Sequence, residues 1–183
     1  IAAKKKLSKN FSGNASFGGN MMIQLGDGNS IGSNRLAIAD FYNPTNVADL
    51  EAISNTNYKY EKRINAFYGT AQLDFRSFLF LDVTARNDWS SALPVHNNSY
   101  FYPSVNLSFV FSEGLKLENK WFSFGKIRGS WAQVGSDGSA YLTTNSFQPS
   151  GAVSFQDQPL YVISQPLANK DLKPEFTTSW EAG

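Results

Sequence analysis

The 183-residue sequence predicts an all-β protein: a section of a large antiparallel transmembrane β-barrel, about six strands with long extracellular loops. Three observations carry this expectation. Apolar and polar residues alternate with period 2 over several stretches, and every charge in those stretches falls on one row. The stretches run about 10–13 residues, longer than the ~5–6 usual in globular sheets and near the ~9–11 that cross a bilayer at a tilt. The connections form long and short classes on opposite ends of a meander, the asymmetry of outer-membrane barrels.

The elements follow in chain order. A Gly- and Asn-rich strand is expected over Asn14–Leu25. From Phe67, the odd positions Phe67, Gly69, Ala71, Leu73 and Phe75 oppose Tyr68, Thr70, Gln72 and Asp74. After Arg76–Ser77, Leu79, Leu81, Val83 and Ala85 oppose Asp82, Thr84, Arg86 and Asp88. Val105, Leu107, Phe109 and Phe111 then oppose Ser104, Asn106 and Ser108. Ile127, Gly129 and Trp131 oppose Lys126, Arg128 and Ser130, and Phe176, Thr178, Trp180 and Ala182 oppose Glu175, Thr177, Ser179 and Glu181.

Opposed residues of an antiparallel pair share a face. A two-residue loop at Arg76–Ser77 would set Asp74 against Leu79 and mix the faces. A three-residue connection, Phe75 to Ser77, sets Leu73 against Leu79 and Thr70 against Asp82, so this register is expected. Long loops are expected over Gly26 to Lys62 and Ser136 to Lys173, on the same end as the Asn87 to Ser99 connection. The tight turn and the Ser112 to Phe122 connection fall at the other end.

A bilayer selects such a pattern. Without water, every backbone N–H and C=O needs a partner strand, and a cation on the lipid row costs ~2–4 kcal/mol at the midplane. Asp74, Asp82, Arg86, Asp88, Lys126, Arg128, Glu175 and Glu181 all lie on the opposite row. Phe75, Phe78, Trp89, Tyr100, Tyr102, Phe111, Trp121 and Phe122 are near strand ends, where aromatic girdles form. A soluble β-sandwich or carbohydrate-binding module also alternates, and stands as the alternative.

Composition narrows the function. With 16 basic and 15 acidic residues the net charge is +1, without the basic footprint of a nucleic-acid binder. Cys is absent and His96 is the sole histidine, so neither a thiolate metal site nor a His-based triad is expected, and no cofactor. The longest apolar run, Phe78 to Leu81, is far short of the ~20 residues of a spanning helix. The chain opens without a signal-peptide pattern and stops at Trp180–Gly183 inside an alternating stretch, so an excerpt of a longer protein is expected.

Several strings go beyond periodicity. Arg86-Asn87-Asp88-Trp89-Ser90-Ser91, Ser99-Tyr100-Phe101-Tyr102-Pro103-Ser104 and Phe109-Val110-Phe111-Ser112-Glu113 follow one another at regular spacing. Gly125-Lys126-Ile127-Arg128-Gly129-Ser130-Trp131-Ala132-Gln133-Val134-Gly135 comes next, then Leu172-Lys173-Pro174-Glu175 with Trp180-Glu181-Ala182-Gly183. In this order the strings resemble the barrel signatures of the SusC/RagA family, TonB-dependent outer-membrane transporters of Bacteroidetes. Tyr68-Gly69-Thr70-Ala71-Gln72 and Phe80-Leu81-Asp82-Val83-Thr84 match as well. The resemblance implies a larger, plugged barrel, of which residues 1–183 are a part without plug, TonB box or signal peptide. It also implies import of glycans or peptides across the outer membrane, with a SusD-like lipoprotein over the mouth and energy from the TonB complex.

The candidate site residues fall into two groups. Trp89, Tyr100, Tyr102, Tyr141 and Phe155 lie at the long-loop end as substrate-vestibule or loop candidates, girdle or loop packing being the plainer role for the first three. Asp74, Asp82, Arg86, Asp88, Lys126, Arg128, Glu175 and Glu181 are expected in a polar network lining the lumen. Arg86 with Asp88, and Asp82 with Lys126 and Arg128, read either as contacts to substrate or plug or, more plainly, as members of a hydrogen-bond and ion-pair network holding the plug and the loop bases. A glycosidase pair among Asp82, Asp88 and Glu175 needs carboxyls ~5–10 Å apart, which separate strands do not enforce. Asp27-Gly28-Asn29-Ser30 and Asp137-Gly138-Ser139 lack a full set of calcium ligands and read as turns.

Overall fold

In the computed structural model, residues 1–32, 35–43, 45–48, 54–117, 124–156, 158–163 and 167–183 are described. Among the described residues nine strands form: β1 (Ala2–Lys6), β2 (Phe11–Gly32), β3 (Ser54–Phe75), β4 (Leu79–Ser90), β5 (Ser99–Phe109), β6 (Ile127–Ser136), β7 (Phe147–Phe155), β8 (Gln158–Ile163) and β9 (Glu175–Ala182). A four-residue helix, α1 (Phe111–Gly114), follows β5. The main sheet has seven strands in the order β1-β2-β3-β4-β5-β6-β9, and β7 and β8 pair separately. The β1–β2, β3–β4, β4–β5, β5–β6, β6–β9 and β7–β8 pairings are antiparallel. No helix among the described residues is long and apolar enough to cross a membrane.

The chain forms two compact units, Ile1–Met22 with Arg63–Gly183, and Ile23–Lys62. In the smaller one, Tyr60 lies over Gly26 and Tyr58 over Gly28, where a Cβ would come within 2.3 and 2.5 Å of the rings. Its loop is organised by Asn46, only 4% exposed. The Asn46 amide accepts from the Ile38 N–H at 2.9 Å and donates to the Ile38 and Phe41 carbonyls at 2.7 and 2.6 Å.

In the larger unit the register carries both faces across the sheet. One row reads Ala71, Val83, Val105, Trp131, Trp180 and the next Leu73, Leu81, Leu107, Gly129, Ala182. Between them, on the opposite face, lie Gln72, Asp82, Asn106, Ser130 and Glu181. Alternation within each strand therefore becomes segregation between faces. Lys5 and Arg63 share the apolar parity, and they stand at opposite ends of the sheet.

Burial concentrates at the loop-bearing end. Ile64, Ala66, Asp88, Ser90, Ala92, Leu93 and Tyr100 are all buried there. Full burial of a side chain such as Leu93 stabilises by about 1.5–3 kcal/mol. A smaller buried group, Ser108, Val110 and Ser112, lies at the other end beside α1.

The structure corrects several expectations. Phe75 opposes Leu79, and Arg76–Phe78 form the turn, so the β3–β4 register is displaced by two residues from the one expected. An even displacement leaves every side chain on its face, which is why alternation alone could not detect it. Arg76 and Ser77 adopt φ of 52° and 61°, and the Asp74 carboxylate accepts from the Ser77 N–H at 2.7 Å. The Gly26 to Lys62 stretch is shorter as a loop than expected, because β2 runs to Gly32 and β3 starts at Ser54. Asp27–Ser30 is strand rather than turn. The Ser136 to Lys173 excursion holds the β7–β8 hairpin, and β1 was not anticipated. Trp121 and Phe122 lie outside the described residues.

Candidate functional site

The charged face of β4 and β5 carries the densest polar cluster. Asp88 opposes Tyr100, and Arg86 opposes Tyr102. The Arg86 guanidinium donates through Nε to Asp88 Oδ1 at 2.6 Å and through its second nitrogen to Oδ2 at 3.1 Å. The Tyr102 hydroxyl donates to the same Oδ2 at 3.1 Å. Both carboxylate oxygens are thereby occupied on a residue that is 4% exposed. A fork-on-fork pair with a third donor is the arrangement that lets a carboxylate tolerate burial.

Tyr100 stacks on Tyr102 with centroids 6.0 Å apart and planes inclined by 19°. The Tyr100 ring occupies the space that a Cβ on Gly135 would fill, 2.6 Å from Cδ2. The Ser90 hydroxyl donates to the Asp137 carboxylate and accepts from the Ala92 N–H, fastening the start of the long excursion to the β4 end. Aromatic position near a strand end suggested a lipid girdle for Tyr100 and Tyr102. Their register with Asp88 and Arg86 puts them on the charged face instead. Trp89, one residue from Asp88, has the opposite parity and meets Phe67 edge to face at 5.9 Å on the apolar side.

A lane of hydrogen bonds continues across this face toward the tight turns. Thr84 bonds Ser104 at 2.6 Å, and Ser16 bonds Thr70 at 2.6 Å. Asn106 donates to Asp82 at 3.0 Å, Asn14 to Gln72 at 2.7 Å and Ser12 to Asp74 at 3.3 Å. Asp74, Asp82 and Lys126 line one groove with Lys4, Asn14 and Ser108. Ser108 Oγ is buried there with no partner among the described residues.

Asp82 and Lys126 line the same groove, while Arg128 pairs with Glu181 at 2.7 Å across the β6–β9 pair. Glu175 stands opposite Ser136 at the start of β9. Tyr141, at φ 67°, and Phe155, on β7, are exposed and outside the Arg86–Asp88 cluster. His96 is exposed and reaches Asp171 at 3.3 Å, a contact the sequence did not suggest.

The carboxylates of this face are far apart. Asp82 and Asp88 are six positions apart on one strand, about 20 Å, and three strand spacings of about 14 Å separate either from β9 and Glu175. Both separations exceed the ~5–10 Å of a glycosidase pair. No group of three His, Asp or Glu side chains among the described residues could hold a metal ion.

A single-layer meander with one apolar face, one hydrogen-bonded polar face and its buried loops at one end is a section of barrel wall. The chain belongs to the TonB dependent receptor-like, beta-barrel family, whose model matches residues 3–183. The SusC/RagA resemblance falls within that family. The RagAB peptide transporter shares the fold, with a TM-score of 0.74 at 20% identity over 97% of this chain. The RagAB peptide importer in its 'closed-closed' state gives 0.75 at 19% over 99%, and in its 'open-open' state 0.74 at 19% over 100%. The chain spans about 20% of the length of each of those chains. No curated protein matches it.

Proposed function

We propose that this chain is part of the wall of an outer-membrane, TonB-dependent importer of oligosaccharides or peptides. In this proposal the apolar face meets lipid and the charged face lines the lumen around a plug supplied elsewhere in the protein. The loop-bearing end, with Tyr141, Phe155 and the Tyr100–Tyr102 stack, contributes to the substrate vestibule and to docking of a SusD-like lipoprotein. The TonB complex acts through other parts of the protein. Import proceeds by binding and gated passage, without covalent chemistry in this section.

The observation that carries the proposal is the exposed apolar face. Val83 and Val105 are each 37% exposed and Leu107 50%, so among the described residues no second sheet covers the row, as a sandwich would require. The resemblance to RagAB favours peptides as the first substrates to try.

The test uses the full-length transporter in outer membranes. Leu81→Arg is expected to abolish heat-modifiable, assembled barrel, whereas Thr84→Arg assembles. Equal assembly of the two overturns the face assignment. Cells are then given labelled peptide and oligosaccharide pools, and uptake of one class should cease when the transporter is deleted or the proton gradient collapsed. Unchanged uptake of both classes would overturn the import assignment. A soluble, cooperatively folding monomer made from residues 1–183 alone would favour the carbohydrate-binding module.

A further inference from the structure

Five of the chain's 16 basic residues gather at the tight-turn end of the first four strands. Lys4, Lys5 and Lys6 are on β1, Lys9 is in the β1–β2 turn and Arg76 is in the β3–β4 turn. The two turns are joined, since the Arg76 N–H donates to the Asn10 carbonyl at 2.9 Å. Ser8 Oγ braces the first turn by accepting from the N–H groups of Asn10 and Phe11 at 3.2 Å each. The result is a concavity of about 380 Å³ in which Asp74 is the single acid. Asp74 is already engaged by the Ser77 N–H and the Ser12 hydroxyl. Among the described residues, none of the five cations forms an ion pair.

Register divides these cations between faces. Lys4 and Lys6 oppose Asn14 and Ser12 on the charged face, whereas Lys5 opposes Gly13, beside Leu73, on the apolar one. Arg76 also turns to the apolar side, with its guanidinium carbon 5.3 Å from the Phe75 ring centroid. At the same level, rings touch in series: Phe11 on Phe75 at 4.7 Å, Phe75 on Phe78 at 5.3 Å and Phe78 on Phe109 at 6.0 Å. A cation on an apolar row is tolerated near a strand end because its stem lies along the rings while its head reaches the polar interface.

We propose that this rim binds the phosphate headgroup of an anionic phospholipid in the leaflet next to the tight turns. Lys5, Lys9 and Arg76 contact the phosphate, and the Phe11–Phe75–Phe78–Phe109 row packs on the first acyl carbons. The inference rests on the barrel assignment, which puts the apolar face in lipid. Charge complementarity selects an anionic headgroup, and the adjoining aromatic row selects a lipid over a soluble acidic protein. A soluble partner would engage Lys4 and Lys6 on the other face instead.

The experiment titrates phosphatidylglycerol and phosphatidylcholine onto the full-length transporter in neutral detergent, with bound lipid counted by native mass spectrometry. The variants are K5Q/K9Q/R76Q, R76Q alone and K4Q/K6Q, each checked for assembled barrel by heat-modifiable mobility. A basic residue near an anionic surface contributes about fivefold in affinity, so the triple variant should lose roughly a hundredfold for phosphatidylglycerol and R76Q about fivefold. Affinity for phosphatidylcholine should not change, and K4Q/K6Q should fall less than the triple variant. If the triple variant fails to assemble, R76Q decides. Equal affinity of the native protein for both lipids, no loss on substitution, or a loss confined to K4Q/K6Q overturns the proposal. L81R separates the two levels: lipid indifference with L81R still failing to assemble overturns this inference alone, whereas normal assembly of L81R overturns the barrel assignment beneath it.

Discussion

The two faces of the seven-stranded sheet share a backbone and differ in how their side chains find partners. On one, large apolar groups line up in rows and stay open to their surroundings, Trp180 at 79% and Leu107 at 50%. On the other, side chains are joined pair by pair, from Ser12–Asp74 at the turns to Arg86–Asp88–Tyr102 at the loops. Dispersion and apolar transfer are indifferent to direction, so the first face requires only an apolar medium. Hydrogen bonds are directional, so the second holds its groups at fixed positions and suits the face where contact must be specific. One surface matches a solvent, and the other can match a molecule.

Substitutions in the full-length protein can break that distinction, beginning with the largest expected effect. Leu107→Arg should destabilise the assembled barrel by about 2–4 kcal/mol or prevent assembly, while Asn106→Arg, one residue away, should leave it formed. Heat-modifiable mobility and urea unfolding in bilayers measure both, and similar losses would show that the faces are equivalent. Asp88→Ala removes the acceptor shared by Arg86 and Tyr102 and should cost about 2–3 kcal/mol, Asp88→Asn less. Gly135→Ala drives a methyl into the Tyr100 ring and should cost about 1–3 kcal/mol unless the Tyr100–Tyr102 stack moves, which Tyr fluorescence would register. Arg128→Gln, at a pair whose members are 57% and 63% exposed, should cost at most about 1 kcal/mol. A larger loss there would mean that the β6–β9 end of the lane is more tightly coupled than its exposure suggests.

Much of the fold was legible because alternation is a local signal. The strands containing Leu73, Leu81, Leu107, Trp131 and Trp180 declared both their existence and their faces. β1 was hidden because Ala-Ala-Lys-Lys-Lys has no alternation, and its pairing depends on the turn at Ser8–Asn10. The β3–β4 register depended on Arg76 and Ser77 taking positive φ, which neither residue type announces. Tyr100 and Tyr102 were judged by nearness to a strand end. Counting parity back from Val105 would have put them beside Asp88 and Arg86. The Arg86–Asp88 pair was readable from its two-residue spacing on one strand, whereas Arg128–Glu181 required knowing that β9, and not β7, lies beside β6.

That last adjacency has a practical consequence. Because β9 closes directly onto β6, the β7–β8 hairpin hangs from the sheet as a side branch that the main ladder does not thread. Such a branch can gain or lose length without shifting any stave of the wall. Its length and its side chains are therefore set by what they meet at the loop-bearing end, while the register of the seven-stranded sheet is set independently of them.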